Sequence, residues 1–273
     1  MSKNQKNTIQ KPKDYKVVYY SDELNDDFAG TNIQAKKVTK HFNYRFHGII
    51  WRAVSFLIYW VIAMPIVWFY EKVFLRVKFV NKKAMKKLKG KTCFMYGNHT
   101  GVIDAYTPNL LTNHRRNRII VSPETVSIKG LKNIIQMLGA VPVPTTMSGL
   151  ARFKKIIHKY HKSDHITIYP EAHIWPYYTG VRPFKDSSFH YPVQENAPVI
   201  AFFTAYTEPK GFLSKFRKAN VTVYVSDPIY PDTSLPPKQA QKELRDKVYN
   251  FMADCSYKYS YYNVISYRKK ESN

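Results

Sequence analysis

Along the chain, apolar residues fall into short runs bounded by turn signals, and these runs alternate with stretches of helical spacing. Lys16 to Tyr20, Phe79-Val80, Thr92 to Tyr96, Arg118 to Val121, Ala140 to Val143, His165 to Tyr169, Pro198 to Thr204 and Val221 to Val225 are the strand candidates. Pro142 and Pro144 put the fifth of these at a sheet edge or end, because proline cannot donate to a ladder. Between them, Leu131 to Leu138 is spaced as a short helix that Gly139 would end. Ser148 to His161 places Leu150, Phe153, Ile157 and Tyr160 on one helical face, and Lys238 to Cys255 does the same with Leu244, Val248, Phe251 and Cys255. Strands alternating with helices predict an α/β domain.

One stretch breaks this rhythm. From Ala53 to Tyr70 no residue carries a charge, and as a helix the stretch measures about 27 Å against about 30 Å of bilayer hydrocarbon. Pro65 inside it predicts a kink or a break. Lysines and arginines flank it on both sides, from Lys36 to Arg52 and from Lys72 to Lys91. Two basic flanks predict that both ends stay on one face, so the segment is expected to be a bent or hairpin anchor entering one leaflet at the cytoplasmic face. The alternative is a buried core helix. The organisation expected is then a polar N-terminal segment over 1–40, a membrane-anchoring helical segment over 41–76, a catalytic domain over 77–257 and a basic, tyrosine-rich tail over 258–273. Within the first segment, Asp22, Glu23, Asp26 and Asp27 form an acidic patch to which the sequence assigns no function.

Composition narrows the partners. The chain of 273 residues is long enough for a full core, and its formal net charge of +24 calls for an acidic partner: nucleic acid, anionic lipid, or a phosphate-bearing cofactor or carrier. The lysines after the apolar segment suit an anionic membrane surface. They are scattered over several elements with no base-reading module among them, so no nucleic-acid partner is expected. Cys93 and Cys255, both in apolar contexts, give neither a disulfide framework nor a zinc spacing and point to a reducing compartment.

The candidate chemistry starts at Tyr96-Gly97-Asn98-His99-Thr100-Gly101-Val102-Ile103-Asp104-Ala105. Histidine changes charge near neutral pH without large perturbation, which suits it to take a proton from an alcohol. Asp104 is then the group that orients it. Five residues along a regular helix turn through about 140°, so both side chains converge only if His99 sits in the turn between a strand ending near Gly97 and a helix starting around Thr100 to Val102. An ordinary surface turn is the alternative at this point.

Three further blocks follow: Tyr169-Pro170-Glu171-Ala172-His173, then Arg182-Pro183-Phe184-Lys185-Asp186-Ser187-Ser188-Phe189, then Ala197-Pro198-Val199-Ile200-Ala201. An Asn-His-x4-Asp block after a strand, an aromatic-Pro-Glu block, a Pro-Phe-Lys-x3-Phe block and a Pro-Val-Ile strand, in this order over roughly Lys78 to Tyr230, resemble the glycerolipid acyltransferases of the lysophosphatidate acyltransferase type. The resemblance implies acyl transfer from an acyl thioester, on coenzyme A or acyl carrier protein, to a hydroxyl of a lysophospholipid-type acceptor. It implies a mixed, largely parallel sheet flanked by helices, with the apolar segment as anchor. It makes His99 the general base and Asp104 its holder, and it puts Glu171 in the acceptor pocket with Asn98. No permanent cofactor and no metal are implied. His161, His165, His173 and His190 lack the spacing of a metalloprotease helix.

Two arginines of the family pattern are missing. The block around Gly139 to Thr145 ends without one, and Pro170-Glu171-Ala172-His173-Ile174 stands where the family has Pro-Glu-Gly-Thr-Arg. Arg152, Arg182 or Lys185 then takes over the acceptor phosphate, or the acceptor is not a glycerol phosphate. His173 is a candidate hydrogen-bonding replacement, and Ala172 replaces a glycine able to adopt positive φ. Two other classes compete: a non-catalytic basic membrane or nucleic-acid binding protein, and a lipid hydrolase. The second lacks a Gly-x-Ser-x-Gly elbow.

Overall fold

In a computed structural model of the chain, residues 9, 10, 12, 15–30, 33–44, 48–112 and 115–271 are described. Most of the first fourteen positions lie outside the described residues. The strands, in chain order, are β1 (Lys16–Tyr20), β2 (Lys78–Val80), β3 (Phe94–Gly97), β4 (Asn117–Val121), β5 (Ala140–Pro142), β6 (His165–Ile168), β7 (Val199–Thr207), β8 (Asn220–Val225) and β9 (Ile265–Lys269). Seven of them form one sheet in the order β2-β8-β7-β3-β6-β4-β5. Every pairing is parallel except β7 with β8, so the sheet is mixed and largely parallel as the blocks implied. The proline-bearing β5 takes an edge, where its missing N–H breaks no ladder.

The two faces of the sheet are both covered, which is why its central strands are continuous apolar runs instead of alternating ones. One face carries Phe94, Tyr96, Ile166, Val199 and Ala201 against the helices Met147–His161 and Pro237–Tyr259. The other carries Cys93, Met95, Ile119, Ile200 and Phe202 beneath the turn Lys82–Leu88 and the 3-10 turn that ends at Leu110.

The apolar segment is one continuous helix, Ile49–Phe74, neither broken nor folded into a hairpin. Its 57–63 and 70–74 stretches are π turns, and Pro65 opens the α-helical turn after the first of them. A π turn shifts the backbone pairing by one residue, which absorbs the hydrogen bond that proline cannot make. One stripe of the helix is docked. Ser55 Oγ accepts from the Arg116 guanidinium at 2.9 Å, the same guanidinium lies 4.4 Å over the Tyr59 ring, and Tyr59 Oη accepts from the Asn117 amide. At the other end Glu71, fully buried, accepts from Thr107 Oγ1 at 3.0 Å. The remaining faces are bare: Ile50, Phe56, Ile62, Ile66, Trp68 and Phe69 are all more than half exposed. The helix therefore runs along the domain and shows its apolar side outward.

The two ends of the chain meet. β1 pairs in parallel with β9, so the 258–273 stretch, expected as a tail, contributes a strand through Lys269. The acidic patch acquires a structural role beside this pair. Trp175, fully buried, donates its indole N–H to Asp26 O, and Phe28 N–H and Ile174 O close a backbone bond at 3.0 Å.

Candidate active site

The site grows from the carboxyl end of β3. Gly97, the last strand residue, has to be glycine because a Cβ there would lie 2.2 Å from the buried Phe202 ring. Asn98 follows, fully buried, and its side chain replaces the backbone ladder: Oδ1 accepts from Thr204 N–H at 2.7 Å and the amide donates to Thr204 O at 3.1 Å. Asn98 was expected to meet substrate. The structure commits both ends of its amide to β7, where they fix the direction in which the chain leaves the strand.

His99 then stands in the connecting turn, as the spacing argument required. Its ring stacks on Tyr169 with centroids 4.4 Å apart, and Nδ1 lies 3.4 Å from Asp104 Oδ2. The Asp104 carboxylate is buried and is held from the other side by the amides of Thr100 at 2.5 Å and Gly101 at 2.8 Å. Tyr169 donates its hydroxyl to the Asp104 carbonyl. No α-helix begins here: Val102–Ala105 and Thr107–Leu110 are two 3-10 turns. The tight turn is what brings positions 99 and 104 together, since the Oδ2 atom takes up the amides a helix would have left open. Nε2 of His99 has no protein partner among the described residues, and the ring is partly exposed.

Glu171 comes up behind this turn. Its Oε2 accepts the His99 backbone N–H at 3.3 Å and its Oε1 accepts the Arg182 N–H at 3.1 Å. The Arg182 guanidinium closes on Oε2 at 3.3 Å, donates to His173 O, and lies 5.0 Å from the Trp175 ring centroid. Burial raises the Glu171 carboxyl above its usual range, against the pull of the Arg182 guanidinium and the two amides. Both side chains are almost completely shut off from water. Arg182 therefore does not face an acceptor phosphate, and Glu171 is spent on holding the turn. Ala172 takes the left-handed conformation, φ 65°, that the family's glycine would adopt freely. His173 points to Asp27, with Nδ1 3.8 Å from its carboxylate, Lys185 is exposed, and Arg152 donates to Lys40 O at 2.6 Å.

A cleft of about 880 Å³ opens beside the turn. One wall is the apolar helix, with Ile62, Ala63, Ile66 and Phe74; the other includes Thr100, Gly101, Tyr177 and Tyr206. Thr100 Oγ1 and Tyr206 Oη are hydrogen-bonded at 2.8 Å in that wall. Two of the residues that hold Asp104, Thr100 and Gly101, thus also face the cleft.

Residues 76–204, from just before β2 to within β7, match the family model described as acyltransferase. The chain carries an acyltransferase domain. The fold of that domain is also that of a solved enzyme, the 1-acyl-sn-glycerophosphate (LPA) acyltransferase PlsC from Thermotoga maritima, at a TM-score of 0.52 and 17% identity over 81% of this chain and 88% of that one. No curated protein sequence matches the chain. Within the acyltransferase domain, the Asn-His-x4-Asp turn and the Pro-Glu block are adjacent in space, as their order implied. Tyr169, which stacks on the histidine, and Thr100 were not singled out in the sequence. Tyr169 was visible as the aromatic of the aromatic-Pro-Glu block. Arg217 and Lys218, which line the cleft from the far side, carried no signal at all.

Proposed function

We propose that the chain is a membrane-associated O-acyltransferase that moves a fatty acyl group from an acyl thioester, on coenzyme A or acyl carrier protein, to a hydroxyl of a lysophospholipid-type acceptor. The observation that carries this reading is the His99–Asp104 pair in a turn whose next two residues, Thr100 and Gly101, line an apolar cleft with the outward-facing helix as another of its walls. The basic flanks favour an anionic surface on the cytoplasmic side, with the helix lying in one leaflet along the domain. The Thermotoga maritima enzyme of like fold acts on 1-acyl-sn-glycerophosphate, which supports an acceptor of that class here.

The chemistry follows from the positions of the two ring nitrogens. Asp104 holds Nδ1–H, so Nε2 carries the lone pair that faces outward. Nε2 takes the acceptor's hydroxyl proton as the oxygen attacks the thioester carbonyl carbon, and Asp104 stabilises the imidazolium. The tetrahedral adduct then expels the thiolate, which takes the proton back from Nε2. An ester bond has formed and a thioester has broken, with no permanent cofactor in the step. The acyl chain lies in the cleft against Ile62, Ile66 and Phe74.

The test measures thiol released from an acyl thioester in the presence of a lysophosphatidate acceptor. His99→Ala should lower turnover by on the order of a hundredfold or more while the circular dichroism spectrum is unchanged. Undiminished transfer in that variant rejects the assignment.

A further inference from the structure

At the rim of the cleft, the chain between β7 and β8 turns back through Lys210 to Lys218, with a 3-10 turn over Phe212–Phe216. Phe216 lines the cleft yet is 70% exposed. Lys210, Lys215 and Lys218 around it are all exposed, and no acidic residue interrupts that run. Lys218 Nζ sits 5.9 Å from the ring centroid of Tyr177, a residue of the cleft wall. The turn is not loose. Arg217, only 7% exposed, ties it down by donating to Lys210 O at 3.3 Å, to Asn220 Oδ1 at 3.1 Å and to Leu75 O at 3.4 Å. Leu75 is the residue that follows the apolar helix, so Phe216 is fixed beside that helix's bare end, where Phe69, Tyr70, Val73 and Phe74 are exposed.

A large aromatic ring left in water beside cationic side chains on long stems is the composition of an interfacial surface. The ring is favoured at the acyl boundary, and the lysines reach back to the phosphates. A protein partner would have to match a cationic rim that is continuous with the bare face of a helix; an anionic bilayer matches both with no further assumption. We infer that the Lys210–Lys218 turn is a second membrane contact, with Phe216 entering the acyl boundary of an anionic bilayer and Lys210, Lys215 and Lys218 meeting its phosphates. The inference rests on the reading of the apolar helix as an anchor and deepens it: the cleft mouth then lies between two lipid-touching elements, and a lipid acceptor reaches His99 from within the leaflet.

Co-sedimentation of the full chain with vesicles tests this. The vesicles are phosphatidylcholine alone, or phosphatidylcholine mixed with phosphatidylglycerol, and circular dichroism checks each variant's fold. The wild type should prefer the anionic vesicles. Phe216→Glu should weaken partitioning by roughly tenfold on both compositions, and Lys210→Glu with Lys215→Glu by roughly tenfold on the anionic one only. High salt should erase the second effect and leave the first. A wild type that binds while both variants bind equally well overturns the inference and leaves the anchor standing. A wild type that binds neither vesicle overturns the anchor reading itself, and the inference with it.

Discussion

Arg182 and Glu171 meet at 3.3 Å with both side chains withdrawn from water, and the same carboxylate oxygen receives the backbone N–H of His99, the proposed base. An ion pair placed there does not recognise substrate. It clamps the Pro170–Glu171 turn against the His99 turn, and the aromatic shell of Trp175 and the β1–β9 pair closes over it.

Removing one partner strands the other. Arg182→Met should cost about 3–5 kcal/mol in urea unfolding, because a buried carboxylate loses its counter-ion. Glu171→Gln with Arg182→Met should cost less than the two single changes added together, with a coupling of about 1–3 kcal/mol. Additive effects would show that the two groups act independently and that the clamp is misassigned.

Glu71 is another buried carboxyl, and among the described residues it has no cationic partner in contact. Burial pushes it up to about 8, opposed by the Thr107 hydroxyl and reinforced by the charge of Asp104. In the unfolded chain it ionises near the ordinary glutamate value of 4.5. Below that value both states hold the proton and stability does not depend on it. Between about 4.5 and about 8 the unfolded chain releases the proton that the folded chain keeps, so stability falls as pH rises, by on the order of a few kcal/mol, and levels off above. Glu71→Gln should flatten that slope in urea midpoints taken across the window. An unchanged slope would mean that water or a cation reaches the carboxyl.

Most of the sheet was legible because its strands obey local rules. Val199 and Ile200 are buried on both faces and so had to be a continuous apolar run, and Pro142 could only lie at an edge. The His99–Asp104 pair was legible for the same reason, since its two members are five positions apart. What escaped was set by contacts between distant positions. Nothing near Asn98 tells that its amide will clasp Thr204, and nothing near Arg182 tells that it turns inward to Glu171 instead of outward to a phosphate. Of the kink or break expected at Pro65, the break is absent because a π turn, a feature of backbone pairing without a sequence signature, accommodates the ring. The pairing of β1 with β9 joins the two ends of the chain and could not be seen from either alone.

The cleft makes the last prediction, which concerns the donor. Ala63 lies in the helical wall, on the side facing Thr100 and Gly101, and its small side chain leaves room that a larger one would fill. Ala63→Phe should shorten the space open to an acyl chain without touching His99 or Asp104. Each buried methylene is worth about 0.8 kcal/mol, so displacing two from the cleft costs about 1.6 kcal/mol, or roughly fifteenfold in kcat/KM. That loss should appear with long-chain acyl thioesters, while a short-chain donor that never reaches position 63 should react at close to the wild-type rate. Comparing the two donors on one preparation removes folding and membrane partitioning from the ratio, because both act equally on each donor. An equal loss for short and long chains would place the acyl group outside this cleft and leave the apolar walls between the helix and the His99 turn without their assigned role.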